Sequence, residues 1–152
     1  MMTALYNNWW VNGIVVATTF LVVSLAVLVH YEGLLFTSRN LPRLSTPARF
    51  KVVIVIAGVL CLHVTEIWIF GLAEWLLLQL PDAGSISGEH HPHLFDVIYL
   101  SASTFTTVGY GDLAPRGALR FMLGTEALTG FVMITWSASF TYLEMERFWN
   151  RR

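Results

Sequence analysis

From Trp10 to Val29 the chain runs twenty residues without one charged side chain. A helix needs roughly 20 apolar residues to cross the hydrocarbon of a bilayer, so this run alone steers the fold toward a membrane. Two further long apolar segments follow. Val52 to Leu80 is interrupted by His63, Glu66 and Glu74, and Ala118 to Leu143 by Arg120 and Glu126. Composition agrees: 55% of residues are hydrophobic and only 12% charged, against roughly a quarter charged in soluble domains. The class expected is an all-α membrane protein with three transmembrane helices.

The first run has no basic residue before it and no small-residue cleavage signal after it, so it reads as a retained helix rather than a removed leader. Trp9 and Trp10 suit an interfacial anchor. The linker from Thr37 to Lys51 carries Arg39, Arg43, Arg49 and Lys51 and no acid, and the C-terminus adds Arg147, Arg151 and Arg152. The positive-inside rule puts both in the cytoplasm and the N-terminus outside. Three spans agree with those ends in parity. A net charge of −1 gives no reason to expect nucleic acid. Cys61 is the only cysteine, expected as an inert core thiol.

Between the second and third spans, PDAGSISGEHHPH has the composition of a polar surface loop. LFDVIYLSASTF is apolar but too short to cross, and reads as a re-entrant helix dipping in from outside. Thr106-Thr107-Val108-Gly109-Tyr110-Gly111-Asp112 follows at once. Non-helical backbone at membrane depth is tolerated only where protein buries it or where it lines a watery path. Gly109 and Gly111 open backbone angles closed to other residues, and alternating them with Val108 and Tyr110 lets successive carbonyls face one side. Such a column of neutral oxygens suits a weakly hydrated monovalent cation. The C-terminal end of the re-entrant helix would add partial negative charge beneath it.

These seven residues resemble the selectivity-filter signature of potassium channels. The resemblance covers roughly Val52 to Leu143. A lone GYG would be no more than a glycine turn; the full run in a re-entrant context is what carries the likeness. The resemblance implies K⁺ at the carbonyls of Thr107, Val108, Gly109 and Tyr110, with Gly111 completing the filter and the Thr107 hydroxyl forming the innermost site. It implies that Val108 and Tyr110 turn away from the pore and that Thr106 and Asp112 support the filter. It also implies a homotetramer around one axis, because one chain gives one carbonyl per layer. Ser103 stands where some channels carry an acid that braces the filter aspartate, and Tyr99 is the substitute brace. The expected division is an extra helix at 9–36, a basic linker at 37–51 and a pore module at 52–147. Within the module come an outer helix at 52–80, an outer loop at 81–94, a pore helix at 95–106, a filter at 107–112 and an inner helix at 117–147. No cytoplasmic ligand-binding domain is expected after it.

In the inner helix, Gly130 best matches a bending glycine and Gly124 is a second candidate; both equally suit close helix packing. Ile134, Ala138 and Tyr142 recur at helical spacing, fit either to line a cavity or to face lipid or the outer helix. His63, Glu66 and Glu74 share one face, and ionisable groups at such depth need partners. Three readings compete for them and for Glu126: a structural hydrogen-bonded network, which is the default, a proton sensor at His63, and a metal or haem site. Glu74 is expected near Arg120, and Glu126 near the filter's supporting residues. Counting about 1.5 Å per residue from the basic linker places His30 and His63 ~10 Å apart in depth, which argues against one haem between them. His90, His91 and His93 with Glu89 are expected to be solvated rather than metal-binding.

The function expected is passive, K⁺-selective conduction by a homotetramer in a plasma membrane of bacterial type. No catalysis and no organic cofactor are expected. The alternatives are a small haem- or metal-binding redox protein and a non-conducting accessory subunit.

Overall fold

The computed structural model describes residues 8–88 and 92–149. The chain is mostly helical. In order come α1 (Trp9–Asn40), a 3-10 turn (Leu41–Arg43), α2 (Ala48–Leu77), β1 (Ser85–Ser87), α3 (Leu94–Phe105), β2 (Ala114–Arg116) and α4 (Leu119–Trp149). The helices pack as a bundle, and α1 lies against both α2 and α4. Among the described residues, α1 with the turn after it and α2 are the two segments long and apolar enough to cross a membrane, each with a mean hydropathy of 2.3 over its most apolar stretch.

α1 begins where Asn8 accepts the Val11 N–H, satisfying one of the donors a helix start leaves open. Trp9 and Trp10 stack on each other with centroids 4.3 Å apart. Its buried stripe is Val15, Thr19, Val22, Ala26, His30 and Leu34, a three-to-four-residue rhythm that keeps one face on the bundle. Thr19 survives burial by donating to the Val15 carbonyl at 2.7 Å. α2 opens at Pro47, whose fixed φ suits a helix start.

α3 is held at its start by a capping box, in which Asp96 accepts the His93 N–H at 2.8 Å. It packs against α2 at Gly71, where an added side chain would run into Ile98 and Ser101. Phe70, Val97, Leu100, Phe105, Leu119 and Met122 form the centre of the core, between α2, α3 and α4.

Two expectations change here. The outer connection is not only loop, and the fold is not purely helical: Ser85–Ser87 pairs antiparallel with Ala114–Arg116. Ser87 Oγ adds a bond to the Ala114 carbonyl at 3.0 Å. Both strands are three residues long and flanked by positive-φ glycines, Gly84, Gly88 and Gly117, too short a run for a period of two to register. Cys61, expected in the core, is exposed and lines an apolar groove between α1 and α2.

Candidate functional site

α3 ends at Thr106, and its last turn is closed by the Thr106 and Thr107 N–H groups donating to the Ala102 and Thr104 carbonyls at 3.1 and 2.9 Å. Beyond it φ alternates in sign: Thr107 sits at +60°, Gly109 at +55° and Gly111 at +82°, while Val108 and Tyr110 stay on the ordinary side. The sequence singles out the two glycines for such angles and names Thr107 as a filter residue without its positive φ, which costs a β-branched residue about 1–2 kcal/mol. No composition signal marks it; only its place as the first member of the alternation does.

Residues of opposite hand in succession turn N–H groups to one side of a backbone and carbonyls to the other. Gly109 N–H fixes which side is which: it donates to the Ser103 carbonyl of α3 at 3.0 Å. The carbonyl row therefore faces away from α3. Every residue from Thr106 to Asp112 is exposed, and nothing within the chain lies within 4 Å of where a Cβ would stand on Gly109 or Gly111.

The outer end of the segment is tied back. The Tyr99 hydroxyl donates to Asp112 Oδ2 at 2.9 Å, and this bond to the carboxylate pushes the Tyr99 phenol above its ordinary value. The Tyr99 and Tyr110 rings stack with centroids 6.2 Å apart. Ser103 is turned inward, its hydroxyl on the Leu100 carbonyl at 3.0 Å, so it serves the segment through its own carbonyl. Thr106 Oγ1 donates to the Ala102 carbonyl at 2.7 Å. Behind the segment, Gly130 of α4 meets the end of α3 so closely that a methyl group there would collide with the Phe105 backbone, the carbonyl oxygen foremost. Gly124, by contrast, is exposed with open space beside it. Ile134, Ala138 and Tyr142 are all exposed and border one shallow cavity.

The polar residues of the helices separate into two layers. In one, the Ser101 hydroxyl lies between the Ile67 carbonyl at 2.9 Å and Glu126 Oε1 at 2.5 Å. Glu74 is buried and interacts with Glu126, although neither Glu74 oxygen has hydrogen-bond geometry to a partner in the described residues. The expected Glu74–Arg120 pair is not made among the described residues. Arg120 is exposed and borders a groove with Asn12, Val15 and Val16 of α1, on a different face from the buried Glu74.

In the other layer, His30 Nδ1 lies 2.7 Å from Glu66 Oε1 and His63 Nδ1 lies 2.9 Å from Glu66 Oε2. The two rings stack with centroids 5.5 Å apart, which overturns their expected separation in depth. The register of α1 on α2 explains the error. Gly33 faces the tip of the Leu62 side chain, which an added Cβ would have to displace. One turn toward the N-terminus of α1 is then level with one turn toward the C-terminus of α2, which brings His30 to Glu66. Counting from the linker assumed that both helices start at the same depth. The Ser137 hydroxyl of α4 stands 3.3 Å from His30 Nε2, so the layer joins three helices. His30, His63 and Glu66 bring three metal-ligand atoms within 4.8 Å of one another. Of the outer-loop histidines, His93 caps α3, and His90 and His91, with Glu89, fall outside the described residues.

Against known proteins, the family described as "Ion channel" matches residues 50–145. Protein LctB of Geobacillus stearothermophilus is 42% identical over 53 residues, 35% of this chain and 40% of that protein. Protein LctB of Bacillus caldotenax matches over the same extent. The match thus spans about two fifths of the length of these relatives. No solved structure matches the chain.

Proposed function

The chain belongs to the ion channel family, a membrane-protein family, and on that premise we propose that it conducts K⁺ selectively and passively across a plasma membrane as a homotetramer. Three helices span: α1, α2 as outer helix and α4 as inner helix. α3 enters from outside as the pore helix. The N-terminus lies outside, and the basic linker and C-terminus lie in the cytoplasm.

The observation that carries this reading is the alternation of φ at Thr107, Gly109 and Gly111 with the Gly109 N–H turned onto α3. It leaves a row of carbonyls from Thr107 to Tyr110 facing away from α3. Four such rows around an axis replace the hydration shell of a weakly hydrated cation. The α3 C-terminus supplies partial negative charge below. Tyr99, Tyr110 and Asp112 stiffen the outer end.

Purified protein in liposomes tests the proposal. Rb⁺ and K⁺ uptake well above Na⁺ uptake is the expected result, with a native mass of four chains. Equal Na⁺ flux sinks the selectivity, and a stable monomer sinks the ring.

A further inference from the structure

We propose that His30, His63 and Glu66 form a binding site for a divalent first-row transition ion of the Zn²⁺ type. Nothing in ion conduction requires this site, so it stands or falls independently of the K⁺ reading.

The donor set comes first. Two imidazoles and one carboxylate, from α1 and α2, present their ligand atoms within 4.8 Å of one another. That is the set which, with a fourth open position, holds Zn²⁺ at about 2.0–2.2 Å per bond. Ligands around such an ion stand a little over 3 Å apart. The present Nδ1–Oε contacts of 2.7 and 2.9 Å run to different oxygens of Glu66, so the carboxylate would turn and the ligand atoms, now within 4.8 Å of one another, would draw in around one ion.

Charge is the second argument. Glu66 is fully buried, and its recorded partners are the two histidines. A carboxylate kept ionised in the interior is costly unless it is paired, and no Lys or Arg pairs with this one among the described residues. Imidazole and carboxylate together favour a Zn-like ion over Mg²⁺ or Ca²⁺.

The surroundings supply the third. A metal-bound histidine is normally oriented by a hydrogen bond at its other ring nitrogen. With Nδ1 on the metal, His30 carries its proton on Nε2 and donates it to Ser137 Oγ, 3.3 Å away. If both rings are neutral beforehand, their protons move from Nδ1 to Nε2 and none is released overall. His63 is 14% exposed and lines a cavity of about 380 Å³ together with Ser137, which gives an ion a way in. A bound ion would clamp α1 to α2 beside Phe105, whose ring centroid is 5.8 Å from that of His63.

Full-length protein, purified without metal, is titrated with Co²⁺ as a spectroscopic probe. The expected result is one Co²⁺ per chain with the intense visible bands of a four- or five-coordinate ion, bleached by Zn²⁺. His63→Ala abolishes the bands. Ser137→Ala weakens binding about 10- to 100-fold. A His90→Ala, His91→Ala, His93→Ala triple variant leaves the bands intact, which excludes the outer-loop histidines. The proposal is overturned if folded wild-type protein takes up no Co²⁺, if its spectrum is that of the hydrated ion, or if the triple variant loses the bands. Should His63→Ala fail to fold, the wild-type spectrum and the triple variant decide alone.

Discussion

The Thr106–Asp112 segment and the His30–Glu66–His63 layer are both polar insertions in an apolar bundle, and they are completed in different ways. The histidine layer is finished within one chain: three helices converge on it and each recorded nitrogen has a partner. The segment after α3 is finished only on one side. Its N–H face and outer end are held by α3 and Tyr99, while its carbonyl face and the side chains of Val108 and Tyr110 stay open, at 54% and 71% exposure. A lone chain carries the strain of Thr107 and leaves the backbone oxygens it aligns without any recorded protein partner across that face. The histidine layer therefore reports on the stability of the single chain and, on the proposed reading, the segment on the assembly of several.

The largest effect separates the two. Gly109→Ala and Gly111→Ala meet no atom in their own chain, so the protomer accommodates the methyl. The cost is the left-handed backbone, about 1–2 kcal/mol, and its consequence is a carbonyl rotated out of the row. Rb⁺ flux is expected to fall to that of empty liposomes while helix content is unchanged. Flux retained in both variants would break the comparison, since the segment would then be an ordinary turn.

Glu66→Gln is the counterpart on the finished side. It turns one of the two oxygens that accept from the imidazoles into an NH2 donor, so one buried imidazole N–H loses its acceptor, at a cost of about 1–3 kcal/mol. The thermal midpoint should fall sharply, and flux with it only as protein is lost. A double-mutant cycle with His30→Ala should show strong coupling, because the two residues are in direct contact. Additive effects would mean that α1 is not docked on α2 at Gly33 and Leu62.

These two regions were not equally legible in the sequence. The segment is local: seven consecutive residues specify its backbone, and the glycine spacing announces the alternation before any tertiary contact exists. Its dependence on Thr107 was hidden, because a threonine carries no sign of the φ it will adopt. The histidine layer is non-local. Its members are 36 residues apart, and only the helix register brings them together. Gly33 sets that register through a contact that no periodicity reveals. Long apolar runs gave away the helices. The β1–β2 ribbon escaped, being held by pairing between positions 27 apart in the chain rather than by strand-like composition.

The inner-helix glycines sharpen the distinction between contacts within a chain and contacts between chains. Gly130→Ala drives a methyl into the Phe105 backbone, and overpacking of this kind costs about 1–3 kcal/mol. Gly124→Ala has open space within its chain, and relief of glycine's entropy in a helix should stabilise by up to about 1 kcal/mol. Opposite shifts in thermal midpoint are expected. If Gly124→Ala instead destabilises the proposed assembly while leaving isolated chains untouched, Gly124 lies where a neighbouring chain approaches, and the open face of α4 is shared.

The smallest effect concerns the side-chain tie at the outer end of the segment. Tyr99→Phe keeps the ring that stacks on Tyr110 and deletes only the hydroxyl that donates to Asp112. The bond is at the exposed outer mouth, where water replaces a lost partner readily. Flux should therefore change within about a factor of three, the range of a surface substitution, with no shift in thermal midpoint. The sharper readout is the K⁺ concentration needed to keep the channel conducting. With the brace gone, Asp112 is freer to move and the outer carbonyls lose their fixed spacing, so that concentration should rise. Asp112→Asn retains an acceptor for the same hydroxyl and should shift it less. A Tyr99→Phe protein indistinguishable from wild type in both measurements would show that neighbouring chains, rather than α3, hold the outer end of the segment.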